Sequence, residues 1–289
     1  MRSAAGIGER IDHVYATLRP AERAVARFVR GHLDEAADLT VGQMAAAAHV
    51  SEPTVIRFAR KLGFGGYREL RYVLRHPGAE RDTVFDPLEG FDLNPWDDPD
   101  AMPDKAAANA ARLIEELRRG IDAKAFRRVC ALLADARLID ILAVENSMAP
   151  ATDLYAKLTY LGLACRLDTD AYLQRIGAGH LSGQDVAIAL SHSGSSVDTV
   201  RSARAAKAAG AHVLAVTATA GSPLAAVADV TLFTGGGRHE IHGNAIFSRV
   251  TDAALVDMVY MGVILTDYGR FSTALDESGR MVRDRDLAS

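Results

Sequence analysis

Residues 40–62, TVGQMAAAAHVSEPTVIRFARKL, decide the reading of the N-terminal part. Thr40 suits the cap of a helix whose apolar face is Val41, Met44, Ala45 and Ala48, at offsets 0, 3, 4 and 7. A short turn at His49 and Val50 follows, and Ser51 suits the cap of a second helix with Pro53 in its first turn. That helix repeats the offsets with Val55, Phe58, Ala59 and Leu62, and the small alanines of the first let the second approach and cross it steeply. This is helix-turn-helix geometry.

At about 100° per residue, Pro53, Arg57 and Arg60 lie opposite the apolar stripe, with Lys61 and Thr54 on one flank and Glu52 on the other. Such a face fits a major groove, the early residues reaching base edges and Arg60 or Lys61 reaching phosphates. Arg57 is the residue expected to read a base, since a guanidinium can bind guanine at two points. The candidate DNA-contacting set is therefore Thr40, Gln43, Ser51, Glu52, Thr54, Arg57, Arg60 and Lys61. The plain alternative is an amphipathic hairpin with a solvated basic face, and Thr40 and Ser51 can serve as caps and as phosphate donors alike.

Upstream, Ile11, Val14, Tyr15 and Leu18 make one helical stripe, and Val25, Phe28 and Val29 begin another after Pro20. Downstream, Gly63 fits a helix end that needs a left-handed residue. Residues 1–76 carry 12 basic and 8 acidic side chains, net +4, while the rest of the chain carries 21 and 29, net −8. A small basic module on an acidic body suits contact with nucleic acid.

Five of the nine prolines fall between Pro77 and Pro103, around the acidic string DPLEGFDLNPWDDPDAMP, so residues 77–103 read as a linker between a module at 1–76 and a body at 104–289. Its acids can also fold back on the basic module as a mimic of DNA, and Phe91 and Trp96 suggest that part of it packs.

In the body the pattern changes. LIDILAV (138–144), DVAIAL (185–190), HVLAVT (212–217) and DVTLF (229–233) are short apolar runs, separated by segments long enough for helices such as 151–161 and 197–209. Buried parallel strands alternating with helices predict an α/β doubly wound sheet, so the fold class is an all-α helix-turn-helix domain followed by an α/β domain. The stripe 247–267 reads as a helix on that sheet or at a subunit interface.

DVAIALSHSGSSVDTV (185–200) runs from a strand through a serine-rich loop into a helix. Ser195 and Asp198 fit a capping box, which leaves Ser191 and Ser193 unexplained. Hydroxyls at the carboxyl end of a parallel strand, beside the free N–H groups of a helix start and Gly194, form an uncharged cradle for an anion, phosphate being the natural guest.

At this point AERAVARFVRGHLDEAADLTVGQMAAAAHVSEPTVIRFARKLGFGGYREL resembles the DNA-binding domain of RpiR-type bacterial regulators, through Ser-x-x-Thr-Val-x-Arg-Phe, Lys-Leu-Gly-Phe and Gly-Tyr. The serine loop resembles that of the sugar isomerase (SIS) domain, and SRVTDAALVDMVYMGV (248–263) is similar to that fold's last helix. The resemblance implies a double-stranded DNA operator, a sugar phosphate or sugar derivative as effector, and a homodimer, with tetramers possible. It implies that Ser191, Ser193 and Ser196 hold the phosphate, with Ser147 from the loop after the first strand; Ser195 and Asn146 complete the polar set. One departure is VENSMAP (144–150), which places Glu145 and Asn146 where the family tends to have Gly and Ala. A carboxylate repels phosphate, so Glu145 either accepts sugar hydroxyls, recognises an amino group, marks an unphosphorylated ligand, or is a loop acid facing solvent. Asn146 or Ser147 as a simple helix cap is a further reading.

RHEIH (238–242) offers His239, Glu240 and His242. Glu240 counts as a ligand-lining candidate, and Glu240 with His242, or Glu145, would be the acid and base if the chain were an aldose–ketose isomerase instead. The spacing supports no metal site, and no cofactor is expected. Arg249 can reach a ligand anion, a neighbouring subunit, or a structural partner.

Composition supports an ordinary soluble chain: 49% hydrophobic, 24% charged and 6% aromatic, with mean hydropathy +0.02. No apolar run reaches the roughly 18 residues of a membrane span, and the start lacks a signal peptide's apolar region, so a cytoplasmic protein is expected. Cys130 and Cys165 read as buried reduced thiols.

Overall fold

Apolar side chains three and four apart close the N-terminal part into short helices: α1 (Ala5–Val14), α2 (Pro20–Gly31), α3 (Leu33–Asp38), α4 (Val41–Ala47), α5 (Glu52–Lys61) and α6 (Tyr67–Arg75). The computed structural model describes residues 5–75, 97–235 and 249–283. Two compact units result, Met1–Met102 and Pro103–Ser289. In the first, Ile11, Val25, Val29, Met44, Val55, Phe58 and Leu70 are fully buried and form one core.

The two helices read from residues 40–62 form with their predicted stripes inward. Thr40 caps α4 through a reciprocal pair: Gln43 N–H donates to its hydroxyl at 3.3 Å, and the Gln43 side chain accepts from Thr40 N–H at 2.8 Å. His49, in the connecting turn, takes a left-handed φ of +52°. Gly63 (φ +89°) ends α5, and Phe64 N–H donates back to Ala59 O at 3.1 Å. Ser51 departs from expectation. It stands at the cap position, but its hydroxyl shares a hydrogen bond of 3.0 Å with Thr54 rather than holding the helix amides.

The sequence pattern did not assign α3 and α6. They meet through Tyr67, whose hydroxyl donates to Ala36 O at 3.3 Å and to Leu39 O at 3.1 Å. Burial of that phenol pushes its pKa up to about 12.

The second unit begins with α7 (Met102–Gly120) and α8 (Ala123–Asp135), and then alternates: β1 (Ile139–Leu142), α9 (Met148–Tyr160), β2 (Cys165–Arg166), α10 (Ala171–Ala178), β3 (Val186–Leu190), α11 (Val197–Ala208), β4 (His212–Thr217), α12 (Pro223–Val227), β5 (Val230–Phe233), α13 (Val250–Thr266) and α14 (Tyr268–Met281). The strands pair in parallel in the order β2-β1-β3-β4-β5. Four were legible; β2, with two residues, gives no periodic signal.

Alternation along the strands sorts the two faces. Val186, Ile188 and Leu190 of β3 pack with Leu214 and Val216 of β4 under α8, α9 and α13, in a core of large aliphatics. Ala187, Ala189 and Ala215 face the other way, toward alanines of α11 such as Ala203 and Ala206, so this helix lies close to the sheet. Asp140 points to that thinner face from the middle of β1 and is 1% exposed. It accepts two hydrogen bonds from Arg166 of β2, at 2.9 and 2.6 Å. Gly177 of α10 makes the room, because a Cβ there would sit 2.5 Å from the guanidinium.

Most of the linker assigned to 77–103 lies outside the described residues, including Phe91 and Trp96. Its described end holds a turn at Pro99–Ala101 and one exposed pair, Asp98 with Arg68 at 3.6 Å. Such a pair contributes little. Cys130 is buried and Cys165 partly buried, both unpaired thiols, and burial raises them to about 11 and about 12. Among the described residues no helix is long and apolar enough to cross a membrane.

Replacing Arg166 leaves a buried carboxylate without its cation, a change that costs about 3–5 kcal/mol in comparable sites. Arg166→Met is therefore expected to lower the stability of the second unit by about that amount in urea titration, and Arg166→Met combined with Asp140→Leu to recover much of it.

Candidate functional site

The strand order reverses between β1 and β3: β2 lies on one side of β1, and β3, β4 and β5 follow on the other. The chain leaving β1 passes into α9 on the large-aliphatic face, whereas the chain leaving β3 passes into α11 on the alanine face. The two connections diverge, and the carboxyl ends of the strands at such a switch point are where doubly wound sheets form the crevice that binds ligands. Residues 143–147 border it from β1, and residues 191–196 from β3.

On the β3 side the backbone makes the site. Gly194 has φ +62°, and a Cβ there would meet Ser222 Oγ at 2.2 Å, Ser222 Cβ at 2.4 Å and Thr217 Oγ1 at 2.8 Å. Only glycine fits, so the loop after β3 lies directly on the loop after β4. Gly194 N–H donates to Ser191 O and its carbonyl accepts from Leu224 N–H, both at 2.9 Å. Thr217 Oγ1 donates to His192 O at 3.1 Å, anchoring the same loop. Ser191 is buried, Ser193 and Ser196 partly exposed, and Ser195 exposed.

The capping box expected from Ser195 and Asp198 does not form. The helix starts one residue later, at Val197, and Ser196, at the cap position, makes no side-chain cap bond. Ser195 instead turns to Ser193: its hydroxyl donates to Ser193 O at 3.4 Å and its N–H donates to Ser193 Oγ at 3.2 Å. No serine hydroxyl thus caps a helix amide; in the first turn of α11 Ser196 Oγ accepts from Thr199 Oγ1 at 3.4 Å.

On the β1 side Glu145, Asn146 and Ser147 form a single helical turn ahead of α9. Glu145 and Asn146 are exposed. Neither Asn146 nor Ser147 caps α9 with its side chain. Glu145 has φ +53°, a left-handed conformation that costs a non-glycine residue roughly 1 kcal/mol.

Two features of this edge were not read from sequence. Gln174 of α10 is 1% exposed; its amide donates to Ala143 O and Asp168 O, both at 2.7 Å, and its carbonyl accepts from Ala143 N–H at 3.2 Å. It fixes the start of the β1 loop, yet its sequence neighbourhood is an unexceptional helix. Behind the serine loop His192 approaches Asp252 of α13 at 4.0 Å, and Arg249 donates to the same carboxylate at 3.4 Å. Burial holds His192 below and Asp252 above their ordinary values. Arg249 thus has a structural partner. Glu240, His239 and His242 lie outside the described residues. Among the described residues no group of three or more His, Cys, Asp or Glu is placed to hold a metal ion.

In the first unit, Glu52, Arg57, Arg60 and Lys61 are exposed on α5. Thr54 is not: it is 4% exposed, and its hydroxyl accepts from Arg57 Nη2 at 2.9 Å. Arg60 Nε donates to Gly65 O at 3.4 Å, and Glu52 lies over Gly42 of α4. Lys61 is held from two sides, donating to Thr17 O at 2.8 Å and pairing with Glu22 at 3.0 Å.

The helix-turn-helix domain of the rpiR family matches residues 5–80, and the SIS domain matches residues 132–261. The chain belongs to the RpiR-type regulators. A Haemophilus influenzae protein named an uncharacterized HTH-type transcriptional regulator is 27% identical over 260 residues, 90% of each chain. Among solved structures, the Vibrio vulnificus NanR protein complexed with ManNAc-6P is similar at TM-score 0.61 and 21% identity, covering 97% of this chain and 99% of that one. The sugar isomerase domain of the RpiR transcription factor from Sphaerobacter thermophilus is similar at TM-score 0.56 and 21% identity, covering 62% and 99%. These two share the fold.

As an RpiR-type regulator with a SIS domain, the chain places its serine loop at the sheet's switch point and its helix-turn-helix in a separate unit. Glu145, where the sequence reading expects a departure from the family's pattern, takes a left-handed backbone. Gly194→Ala combines a left-handed alanine with a contact the loop cannot relieve. It is expected to cost the SIS unit about 1–3 kcal/mol in chemical denaturation.

Proposed function

We propose that this regulator binds a sugar phosphate or closely related sugar derivative in the crevice between the β1 and β3 loops, as an effector rather than a substrate, and binds a double-stranded DNA operator through α5. The observation that carries the effector is the serine loop, whose hydroxyls cap no helix amide and which the tight packing of Gly194 holds at the switch point. Ser191, Ser193, Ser195 and Ser196, with Ser147 across the crevice, form the uncharged cradle we assign to phosphate. Hydroxyls and backbone amides carry no charge to offset a dianion, so binding rests on hydrogen-bond geometry. The NanR neighbour, complexed with ManNAc-6P, supports the reading.

Glu145 and Asn146 are assigned to the sugar end. Glu145 accepts hydroxyl or amino protons there, and keeping it away from the phosphate avoids repulsion. The DNA reading rests on Arg57 and Arg60, with Thr40, Gln43, Ser51 and Glu52 along the same edge of the motif. A symmetric homodimer would present two such helices to a pseudo-palindromic operator.

A thermal-shift panel of sugars, amino sugars and their phosphates tests the effector, because a ligand of the folded state raises apparent stability by mass action. Phosphorylated members are expected to shift the SIS unit and their unphosphorylated parents to shift it less; a full panel without effect would contradict the reading. The stabilising compound is expected to emerge unchanged after prolonged incubation. Aldose–ketose interconversion that disappears in Glu145→Gln would replace the effector by a substrate. For DNA, Arg57→Ala is expected to cost about 1–3 kcal/mol of discrimination for the selected sequence.

A further inference from the structure

Glu22 is the one buried carboxylate of the first unit among its described residues, 1% exposed, and no sequence signal marked it. One oxygen, Oε2, accepts from Arg19 N–H at 2.8 Å, closing the first turn of α2, and lies 3.0 Å from Lys61 Nζ. The other, Oε1, lies 3.9 Å from Arg57 Nε. Arg57 in turn donates to Thr54 Oγ1 at 2.9 Å, and Thr54 shares its hydroxyl with Ser51 at 3.0 Å. Half of the Arg57 side chain remains exposed.

From this geometry we infer that Glu22 is a positioning residue for DNA readout: Lys61 anchors its carboxylate, and the carboxylate with Thr54 holds the Arg57 guanidinium in the pose it presents to a base. The inference rests on the DNA-binding reading of α5 and deepens it. Burial alone would push the carboxyl upward; the Arg19 amide and the Lys61 ammonium outweigh it and hold Glu22 below its ordinary value, so it stays charged at neutral pH. An arginine confined before binding loses less rotamer freedom when it meets a base edge. Lys61 then serves the carboxylate, its ammonium directed at Thr17 O and Glu22.

The sign of the effect separates this role from simple scaffolding. Glu22→Gln keeps an acceptor for the Arg19 amide but removes a negative charge from beside the recognition helix. Affinity for arbitrary duplex DNA is expected to rise or stay level, since the face becomes more positive. Affinity for the preferred sequence relative to it is expected to fall about tenfold, within the range of one bidentate base contact. A residue that merely supports the fold would instead weaken both together.

The test uses the full-length chain. A randomised duplex library is enriched with wild type, Arg57→Ala and Glu22→Gln, and the winning duplex is compared with a scrambled duplex of equal composition. The expected result is that Glu22→Gln relaxes the same base positions as Arg57→Ala, with little further loss in the double variant. A wild-type chain that enriches no sequence removes the DNA reading and this inference with it. Enrichment by wild type with an unchanged preference in folded Glu22→Gln overturns the inference alone. Should Glu22→Gln fail to fold, Lys61→Gln decides: the slope of log affinity against log salt is expected to stay unchanged. A slope reduced by about 0.9 would mark Lys61 as a phosphate contact and overturn the proposal.

Discussion

The constraint on which the SIS unit depends is the fit of Gly194 against Ser222. With less than 2.5 Å between an added Cβ and that side chain, the loop after β3 can only be bare backbone there. The backbone is therefore seated on the β4 loop, and the hydroxyls on either side of it have defined places. The strand order supplies the other half. Because β1 and β3 are neighbours whose connections diverge, the seated loop lies at the sheet's switch point. Sequence at one glycine and topology across the whole sheet thus produce one cradle.

A similar economy governs the DNA-binding unit. Its helices are short, and α3 and α4 have six and seven residues, too few to be stable alone. Tertiary contacts do the work: the buried faces of α2, α4 and α5, Tyr67 spanning α3 and α6, and Glu22 joining the start of α2 to the end of α5. A buried carboxylate is unfavourable unless its oxygens are engaged. The amide of Arg19 and the ammonium of Lys61 meet that requirement, and the same contacts constrain the surface side chain beside them.

How far the sequence was legible follows from where each element draws its stability. The helix pair at 40–62 and the strands at 139–142, 186–190, 212–217 and 230–233 were readable because local period and burial agree there. The strand at Cys165–Arg166 was not, since two residues carry no period and it forms only because β1 offers an edge. Capping was half legible. Thr40 and Gln43 close the predicted box, whereas Ser51 bonds to the side chain of Thr54 in α5 and Ser195 bonds within its own loop. Glu22, Gln174 and the His192–Asp252 contact were missed for a common reason. Each joins segments distant in sequence, and each reads as an ordinary surface polar residue until the fold buries it.

The central claim is that metabolite binding at the serine loop and DNA binding at α5 belong to one regulator. Linkage makes this measurable, because coupled sites must change each other's affinity by the same factor. The decisive experiment is calorimetric titration of the stabilising sugar phosphate into the full-length chain, free and saturated with its selected duplex, paired with the duplex affinity measured with and without that compound. The account predicts two matching ratios, both different from one. Effector affinity that is identical on and off DNA, with both ligands bound, would contradict it.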